Sequence, residues 1–274
     1  MIPFAKAHAC GNDFLIVTED AAAGYDWAKL ALHLCNRHSG VGADGVEYFA
    51  WTGPRSGRIR LHNADGSIAE ISGNGTRCVA AWMSANAGAG AGDELRIETD
   101  AGLRVCEINS VNTDGGFSVE VTSGMGVPAA APRTITLGDG RSINGAVVFT
   151  GNPHFVILVN SADFSIDGAT WQSIGAEICV HTEFPNQTNV EFVRIIKKSE
   201  IGIRIFERGV GPTSSSGTGT SASATAAIAF HGCNSPLTVV SPGGSQTVEW
   251  AGPGNELLLT GPAALIARGE AWYG

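Results

Sequence analysis

The sequence predicts an α+β fold of two pseudo-symmetric domains, each a mainly antiparallel sheet wrapped around a central helix. Short β-like runs recur along the 274 residues at near-regular spacing, separated by turn signals, as is typical of antiparallel sheets. The frame Ser-Gly-x-Gly-Thr occurs twice, at residues 72–76 and 216–220, which are 144 positions apart. Each copy opens a helical run of small residues. The second run is rich in Ala and Ser and low in charge, which predicts a helix buried nearly all round.

The individual elements follow in chain order. The N-terminal segment MIPFAKAHACGNDFLIV has no basic region followed by an uninterrupted apolar stretch, so it predicts a first strand rather than a signal peptide. The predicted strands are Phe14–Val17, Ile59–His62, Leu95–Glu98, Leu103–Ile108, Phe117–Val121, Ala146–Phe149, Phe155–Val159, Val190–Ile196, Ile201–Phe206, Leu237–Val240 and Thr247–Trp250. The predicted helices are Trp27–Cys35, Thr76–Ala87, Trp171–Val180 and Gly219–Phe230.

A domain boundary is predicted near the middle of the chain. The stretch SGMGVPAAAPR, residues 123–133, has the composition of a loop. Turn, strand and helix entrance follow one another in the same order on both sides of it. We therefore expect one domain to comprise residues 1–123 and 261–274, a second to comprise residues 124–260, and the active site to lie in the cleft between them.

Composition limits the function classes. Charged residues make up 16% of the chain and hydrophobic ones 43%, which indicates a folded protein rather than a disordered one. The net charge of −9 argues against nucleic acid or an anionic membrane as a partner. No run approaches 18 apolar residues, so we expect no transmembrane helix.

The six cysteines are scattered, at positions 10, 35, 78, 106, 179 and 233, without a Cys-x-x-Cys pair or a metal-ligand spacing. This pattern favours reduced thiols in a cytoplasmic protein and no metal site. Cys78 is expected to pack in the core, and Asp65, in the NADG turn, to form the turn.

The repeated frame has a chemical use. A glycine-rich loop that leads into a helix leaves backbone N–H groups unpaired at the helix N-terminus, and these groups favour a carboxylate. Two such entrances, each headed by a side chain, could hold one carboxylate and flank the neighbouring carbon on opposite faces. Neither loop is a Walker sequence or a nucleophile elbow, because the required Lys and Gly are missing.

Longer motifs carry a family resemblance. HACGNDF, HSGVGADG, HNADGSIAEISGNGTRC, GNPH, TNVEF and ERGVGPTSSSGTGTSA occur in the order seen in diaminopimelate epimerase. The resemblance covers essentially the whole chain, to PGGSQTVEWAGPGNELLLTGPA near the C-terminus. It implies a racemase or epimerase that uses neither pyridoxal phosphate nor another cofactor, acts on a small amino acid, and forms a homodimer in many members.

The resemblance also implies the binding residues. The distal amino-acid end of the substrate is expected at Asn63, Asn152, Asn189, Glu207 and Arg208. The reacting end is expected at Asn12, Gly73, Asn74, Gly217 and Thr218. These residue types suit the task, since an arginine can bind a carboxylate through two parallel hydrogen bonds. Glu207 can pair with an ammonium group, and His154 could handle a proton or orient a neighbour.

The chain departs from the family at the two catalytic positions. Where family members have a cysteine at the head of each helix entrance, this chain has Ser72 and Ser216. A thiol has a pKa of about 8.5, whereas an alcohol ionises closer to water, at about 15.7. That gap of roughly 7 pH units corresponds to about 10 kcal/mol toward forming the base.

Four hypotheses account for the two serines. The chain could be an epimerase, converting LL- to meso-diaminopimelate for lysine and cell-wall synthesis, in which helix dipoles with His154 or Glu207 activate the serines. It could be a divergent isomerase that uses His154 or Glu207 in place of thiols. It could be a catalytically silent amino-acid binder, or carry an engineered Cys-to-Ser pair. Pro212 stands where the family usually has Glu, which favours natural divergence, and the epimerase is the expected function.

Overall fold

The computed structural model describes residues 1–69 and 71–273, so Glu70 of the HNADGSIAEISGNGTRC motif lies outside the described residues. The chain divides into two compact units. Unit 1 comprises Met1–Ser123 and Thr260–Gly274, and unit 2 comprises Gly124–Leu259. Both combine strands with two helices, and the predicted α+β class is confirmed.

The elements run along the chain as follows. The first part contains β1 (Ile2–Ala9), β2 (Asn12–Thr18), α1 (Trp27–Cys35), β3 (Gly45–Gly53), β4 (Ser56–Asn63), β5 (Ile68–Ala69), α2 (Gly73–Ala87), β6 (Glu94–Thr99), β7 (Gly102–Asn112) and β8 (Phe117–Gly124). The second part contains β9 (Ala129–Thr136), β10 (Ser142–Phe149), β11 (Pro153–Leu158), α3 (Trp171–Cys179), β12 (Asn189–Lys197), β13 (Glu200–Glu207), β14 (Gly211–Thr213), α4 (Gly217–His231), β15 (Leu237–Ser241), β16 (Gly244–Trp250) and β17 (Leu257–Ala271).

The strands of unit 1 follow one another around α2. β1 pairs with β2, β3 with β4, β6 with β7, and β7 with β8, all antiparallel, and β17 pairs with both β8 and β1. Two pairs are parallel, β2 with β3 and β4 with β6. The parallel pairs need crossover connections, and α1 and α2 are those crossovers. α2 contacts β1, β2, β6 and β7, so it is the central helix of the unit.

Unit 2 repeats this plan. β11 and β12 are parallel and joined through α3, and β13 and β15 are parallel and joined through α4. The other assigned pairs, β9 with β10, β10 with β11, β12 with β13, β13 with β14, and β15 with β16, are antiparallel. α4 contacts strands from β9 to β16 and forms the centre of this unit.

The predicted all-round burial of α4 is confirmed for its first eleven residues, whereas its last three residues are exposed. Every residue from Gly217 to Ala227 is buried, including five hydroxyl-bearing ones. Hydroxyls inside a helix remain tolerable when they bond the preceding turn. Ser221 Oγ donates to the Gly217 carbonyl at 2.9 Å, and Thr225 Oγ1 donates to the Ser221 carbonyl at 2.8 Å. The small side chains let the surrounding strands approach the helix closely.

The prediction of a loop at residues 123–133 is wrong for most of that stretch. β8 continues to Gly124 and β9 begins at Ala129. The composition suggested a loop, but pairing with β10 along the whole of β9 makes the second half of the stretch extended, and Pro132 lies opposite Ala146 within that ladder. The N-terminal segment likewise forms two strands, joined by a turn at Cys10 and Gly11, both with positive φ.

No helix within the described residues is long and apolar enough to cross a membrane.

Candidate active site

Ser72 is the N-cap residue of α2. Its backbone is extended, and its Oγ accepts a hydrogen bond from the Gly75 N–H at 3.0 Å. Ser72 is half-buried, whereas the helix is buried from Gly73 onward. Since the first N–H groups of a helix lack intrahelical acceptors, this entrance presents donors and the positive end of a helix dipole beside a partly accessible hydroxyl.

Ser216 has the same role at α4. Its backbone is extended, its Oγ accepts from the Gly219 N–H at 3.2 Å, and its side chain is half-buried. Thr218 Oγ1 lies 3.3 Å from Ser216 Oγ, so a second hydroxyl borders this entrance. Gly217 is the first residue of the helix. The two units therefore contain two serine-capped, glycine-opened helix entrances of the same local geometry.

Asn12 and Asn74 lie together at the α2 entrance. Asn74 Nδ2 donates to Asn12 Oδ1 at 3.1 Å, and the buried Arg77 donates from Nη2 to Asn74 Oδ1 at 2.6 Å. Asn12 Nδ2 in turn donates to Asp44 Oδ2 at 2.6 Å. Two of the residues predicted to hold the reacting end are therefore fixed in one hydrogen-bonded chain.

An ion-pair cluster holds Asp44, at the end of this series of hydrogen bonds, in place. Arg37 bridges Asp44, at 2.7 Å, and Asp13, at 2.6 Å, and Lys6 lies 2.9 Å from Asp13. Burial raises the pKa of Asp13, but hydrogen bonds from Arg37 and Lys6 lower it more, and the net pKa lies below its usual value. Asp13 is therefore ionised at neutral pH.

Asn63 ends β4 and belongs to a tight turn. Its Nδ2 donates to Ser67 Oγ at 2.9 Å. The Asp65 carboxylate accepts from the Ser67 N–H at 2.9 Å and from Ser67 Oγ at 2.6 Å, which confirms that Asp65 forms the turn.

His154 and Asn152 lie together on the β11 side of unit 2. His154 Nε2 is 2.7 Å from Asn152 Oδ1, and Nδ1 is 2.7 Å from Glu191 Oε1. Both ring nitrogens are therefore occupied, and the side chains of His154 and Glu191 are completely buried. In this arrangement the imidazole orients the Asn152 amide.

Asn189 and Arg208 also lie together. The parallel register places His154 opposite Asn189, and the next ladder places Val190 opposite Phe206, so β13 ends beside Asn189. Asn189 Oδ1 accepts from the Arg208 N–H at 3.0 Å, and its Nδ2 donates to the Pro153 carbonyl at 2.9 Å. Arg208 is exposed and Glu207 half-buried, so polar groups of both signs border this strand end.

Two buried glutamates, Glu47 and Glu191, were missed by reasoning from the sequence. Glu47 on β3 lies beneath Gly75, and Glu191 on β12 lies beneath Gly219. The signal that could have found them is the repeat distance, because 144 positions separate these glutamates as they separate the two serines. Burial raises the pKa of Glu47 to about 8.

The cysteines are free and buried, and the predicted core position of Cys78 is confirmed. Burial raises the pKa of the Cys78 thiol far above its usual value, so this thiol stays protonated. Within the part of the chain that the structure describes, no group of three or more His, Cys, Asp or Glu residues could hold a metal ion.

Comparison with known proteins identifies the family of the chain. The family model for diaminopimelate epimerase matches residues 4–130 and 146–266. The chain is 34% identical to the diaminopimelate epimerase of Heliobacterium modesticaldum over 283 residues, covering 97% of this chain and 98% of that protein. It is also 34% identical to the diaminopimelate epimerase of Pseudomonas syringae pv. tomato over 286 residues, covering 98% and 99%.

Solved structures show the same fold. A phenazine biosynthesis protein of the PhzF family from Bacillus anthracis superposes with a TM-score of 0.72 at 16% identity, covering 99% of both chains. A hydroxyproline epimerase from Agrobacterium vitis, with bound trans-4-hydroxy-L-proline, superposes with a TM-score of 0.70 at 16% identity, covering 98% of this chain and 91% of that one. With the family model and the full-length relatives, the conclusion is that the chain belongs to the diaminopimelate epimerase family and is an isomerase of the epimerase class.

Proposed function

We propose that the chain epimerises the α-carbon of an amino acid without a cofactor, converting LL- to meso-diaminopimelate, with Ser72 and Ser216 as the two acid–base groups. The observation that carries the proposal is the pair of matched helix entrances, each capped by a half-buried serine whose Oγ accepts a backbone N–H. A two-base epimerisation needs two such groups, one to remove the α-proton and one to deliver a proton on the other face.

The reacting carboxylate belongs at the helix entrances. Gly73 and Gly217 open the two helices, and the unpaired N–H groups of a first turn attract an anion. The helix dipoles stabilise the bound carboxylate and also the negative charge that forms on the α-carbon, so they offset the repulsion between these two charges. Asn12, Asn74 and Thr218 supply further hydrogen bonds, and the chain through Asp44 to Arg37 keeps Asn12 and Asn74 in place.

The distal amino-acid end of the substrate is assigned to a second cluster of polar residues. Arg208 is exposed and suits a carboxylate, and Glu207 suits an ammonium group. Asn63, Asn152 and Asn189 add amide donors and acceptors. A substrate with two amino-acid heads uses both ends of such a site, and diaminopimelate has this chemistry.

His154 acts through Asn152 in this proposal. Both of its nitrogens are occupied and its ring is completely buried, so it orients the amide that meets the substrate. This arrangement disfavours the divergent isomerase in which His154 itself carries the proton.

A silent amino-acid binder is the second candidate. The observation that favours it is the serine at both catalytic positions, since an alcohol is harder to ionise than a thiol by about 10 kcal/mol. The binding groups would be the same, and affinity would survive the loss of both serines.

Proton NMR in D₂O tests these two candidates. The purified chain and the Ser72→Cys/Ser216→Cys double variant are each incubated with LL-diaminopimelate, beside a blank without protein. Loss of the α-proton signal and growth of the meso form with the parent chain establish the serine epimerase. Turnover by the double variant alone establishes a binding site without working bases. An unchanged substrate with both proteins rejects diaminopimelate as the substrate.

Two further properties belong to the proposal. A cytoplasmic reaction agrees with six free cysteines. A homodimer is the proposed assembly, and sedimentation equilibrium would measure it.

A further inference from the structure

Two buried carboxyl groups lie behind the two cap serines. Glu47 and Glu191 have no solvent exposure, and each lies beside the third helical residue after its serine, Gly75 or Gly219. A buried carboxyl without full hydrogen bonding destabilises a fold, and local costs of this kind concentrate at functional sites. Two buried carboxyl groups at equivalent positions of the repeated frame indicate a shared role in function.

At the α2 entrance, only a glycine leaves room for the carboxyl. A Cβ on Gly75 would collide with Glu47 Oε1 and would lie 3.1 Å from Ser72 Cβ. The carboxyl oxygen and the serine therefore flank one small space from two sides. Neither Oε1 nor Oε2 of Glu47 has a hydrogen-bond partner among the described residues.

The α4 entrance repeats this geometry. A Cβ on Gly219 would lie 2.9 Å from Glu191 Oε1 and 3.3 Å from Ser216 Cβ. Here the carboxyl has one partner, since Oε1 lies 2.7 Å from His154 Nδ1, while Oε2 has none in the described part of the chain. The two entrances share their geometry and differ in this one hydrogen bond.

We propose that Glu47 and Glu191 are the proton-exchange partners of Ser72 and Ser216, positioning residues that set the protonation state of each hydroxyl. This inference rests on the proposed function. When one serine Oγ removes the substrate α-proton, its own hydroxyl proton passes to the carboxylate behind it, and the C–H electron pair stays on the α-carbon. Neither carboxyl is hydrogen-bonded to its serine in the structure, so the transfer requires the two groups to come within hydrogen-bond reach when substrate binds. The other serine gives its proton to that carbon, and the carboxylic acid behind it restores the hydroxyl.

This exchange needs one carboxyl protonated and one ionised, and the hydrogen bond from His154 to Glu191 is the feature that distinguishes the two carboxyls. Glu47 has no donor partner, and burial raises its pKa to about 8, so it keeps its proton at neutral pH. The pKa of Glu191 is also raised, with burial as the largest cause, and the charge and hydrogen bond of His154 offset part of that rise. Because only Glu191 has a hydrogen-bond partner, the proposal assigns Ser216 as the base and Ser72 as the acid.

The surroundings of Glu47 simplify its test. Burial is the one cause of its raised pKa, without a charged neighbour, and the titratable group that feels its charge is the Cys78 thiol on α2. Because Ser72 Cβ borders the same space at Gly75 as Glu47 Oε1, a thiol at position 72 should also respond to the charge of Glu47.

The first experiment measures thiol alkylation and needs no activity. The iodoacetamide reaction rate of the Ser72→Cys variant is followed from pH 5 to pH 10, with and without Glu47→Gln, against the background of the parent chain. A neighbouring charge at this range shifts a thiol pKa by about 1 pH unit or more, and coupled groups titrate in two steps. We expect Glu47→Gln to move the midpoint by about that amount and to remove one step.

The matched control is Glu98→Gln, which changes an exposed carboxylate on β6 in the same unit and should leave the profile unchanged. Ser216→Cys with Glu191→Gln repeats the test at α4. Superimposable profiles with and without the glutamates would overturn the inference. If Glu47→Gln does not fold, as judged by circular dichroism, Glu47→Met replaces it, since an unbranched apolar chain fits the same space.

The second experiment measures α-proton exchange. Glu47→Gln should lower kcat by at least about 100-fold and change KM by no more than about twofold, because the carboxyl acts on proton transfer and not on binding. Full activity with the Gln variants would overturn the inference while leaving the epimerase intact. Absence of exchange in both the parent chain and the Ser72→Cys/Ser216→Cys variant would reject the proposed function, whereas the thiol profiles would still decide the pairing.

Discussion

Glu191 Oε1 lies 2.7 Å from His154 Nδ1, and neither side chain reaches solvent. When Glu191 is ionised it only accepts, and the imidazole then donates this bond. A neutral ring then accepts at Nε2, which requires the Asn152 amide to present its NH₂ group, whereas an imidazolium donates to Asn152 Oδ1. In both cases this buried pair fixes the Asn152 amide on one side and the Glu191 carboxyl under the α4 entrance on the other.

Breaking this pair should be more costly than replacing it. His154→Leu leaves the Glu191 carboxyl without its donor, and breaking a buried pair destabilises by about 3–5 kcal/mol. The His154→Leu/Glu191→Leu double variant should lose clearly less, because no buried charge remains. Urea unfolding measures both. Equal losses in the single and double variants would show that the pair has no such coupling.

The stability of the chain should fall as pH rises through the neutral range because of Glu47. Its pKa is raised by burial to about 8 in the folded state, above the unfolded value of about 4.5. The folded state therefore keeps a proton that the unfolded state releases, and the contribution is complete below about pH 4.5 and is lost progressively up to about pH 8. The total loss is on the order of 5 kcal/mol.

Glu47→Gln should remove this slope, and urea unfolding at pH 5 to 8 measures it. The variant should be more stable than the parent at pH 8 and close to it at pH 5. A parent chain whose urea midpoint is flat over this range would contradict a buried, neutral Glu47. Glu98→Gln provides the control, since its carboxylate is exposed.

Added side chains at the two entrance glycines should destabilise unequally. Gly75→Ala places a methyl group against Glu47 Oε1, and overpacking of this kind costs about 1–3 kcal/mol. Gly219→Ala meets its closest atoms at 2.9 Å and 3.3 Å, and should cost about 1 kcal/mol. Gly90→Ala meets nothing within 4 Å and should stay within about 0.5 kcal/mol of the parent.

Thermal unfolding of the three alanine variants measures this order of destabilisation. A second-site change sharpens the prediction, because Glu47→Ala should reverse much of the effect of Gly75→Ala by removing the atoms that the methyl group meets. If Gly75→Ala proves as mild as Gly90→Ala, the carboxyl does not occupy the space beneath Gly75.

The Arg37–Asp13 pair should contribute to stability only above acidic pH. The pKa of Asp13 is lowered in the folded state, so its contribution is present above about pH 4 and is lost as pH falls through the lowered folded pKa. Arg37 is half exposed, which limits the effect of Arg37→Gln to about 1 kcal/mol at pH 7. The two proteins should converge toward pH 2 in urea unfolding. Lys29→Gln, which removes a looser exposed pair at 3.7 Å, should show no such dependence.

Much of the fold could be predicted from local pattern. The helix Trp27–Cys35 has the predicted bounds, and the other three helices differ by one to three residues at an end. N-cap serines and the Gly88 and Gly232 caps give clear local signals. The strands β3, β5, β9, β14 and β17 were missed. The extended backbone of β17 is fixed by β1 at the other end of the chain and that of β9 by full-length pairing with β10, and not by their own composition.

The sequence by itself determined the family, the repeated frame and the identity of the two cap serines, because glycine, hydroxyl and asparagine at fixed spacing are local signals. Only the tertiary structure decided what lies behind those serines. Glu47 and Glu191 stand 25 residues before Ser72 and Ser216 in the chain, and strand pairing, parallel for β3 with β2 and for β12 with β11, brings Glu47 against Gly75 and Glu191 against Gly219. Burial and hydrogen bonding then give two identical side chains different surroundings, since His154 pairs with Glu191 and no such partner meets Glu47 among the described residues, and no local pattern encodes that difference.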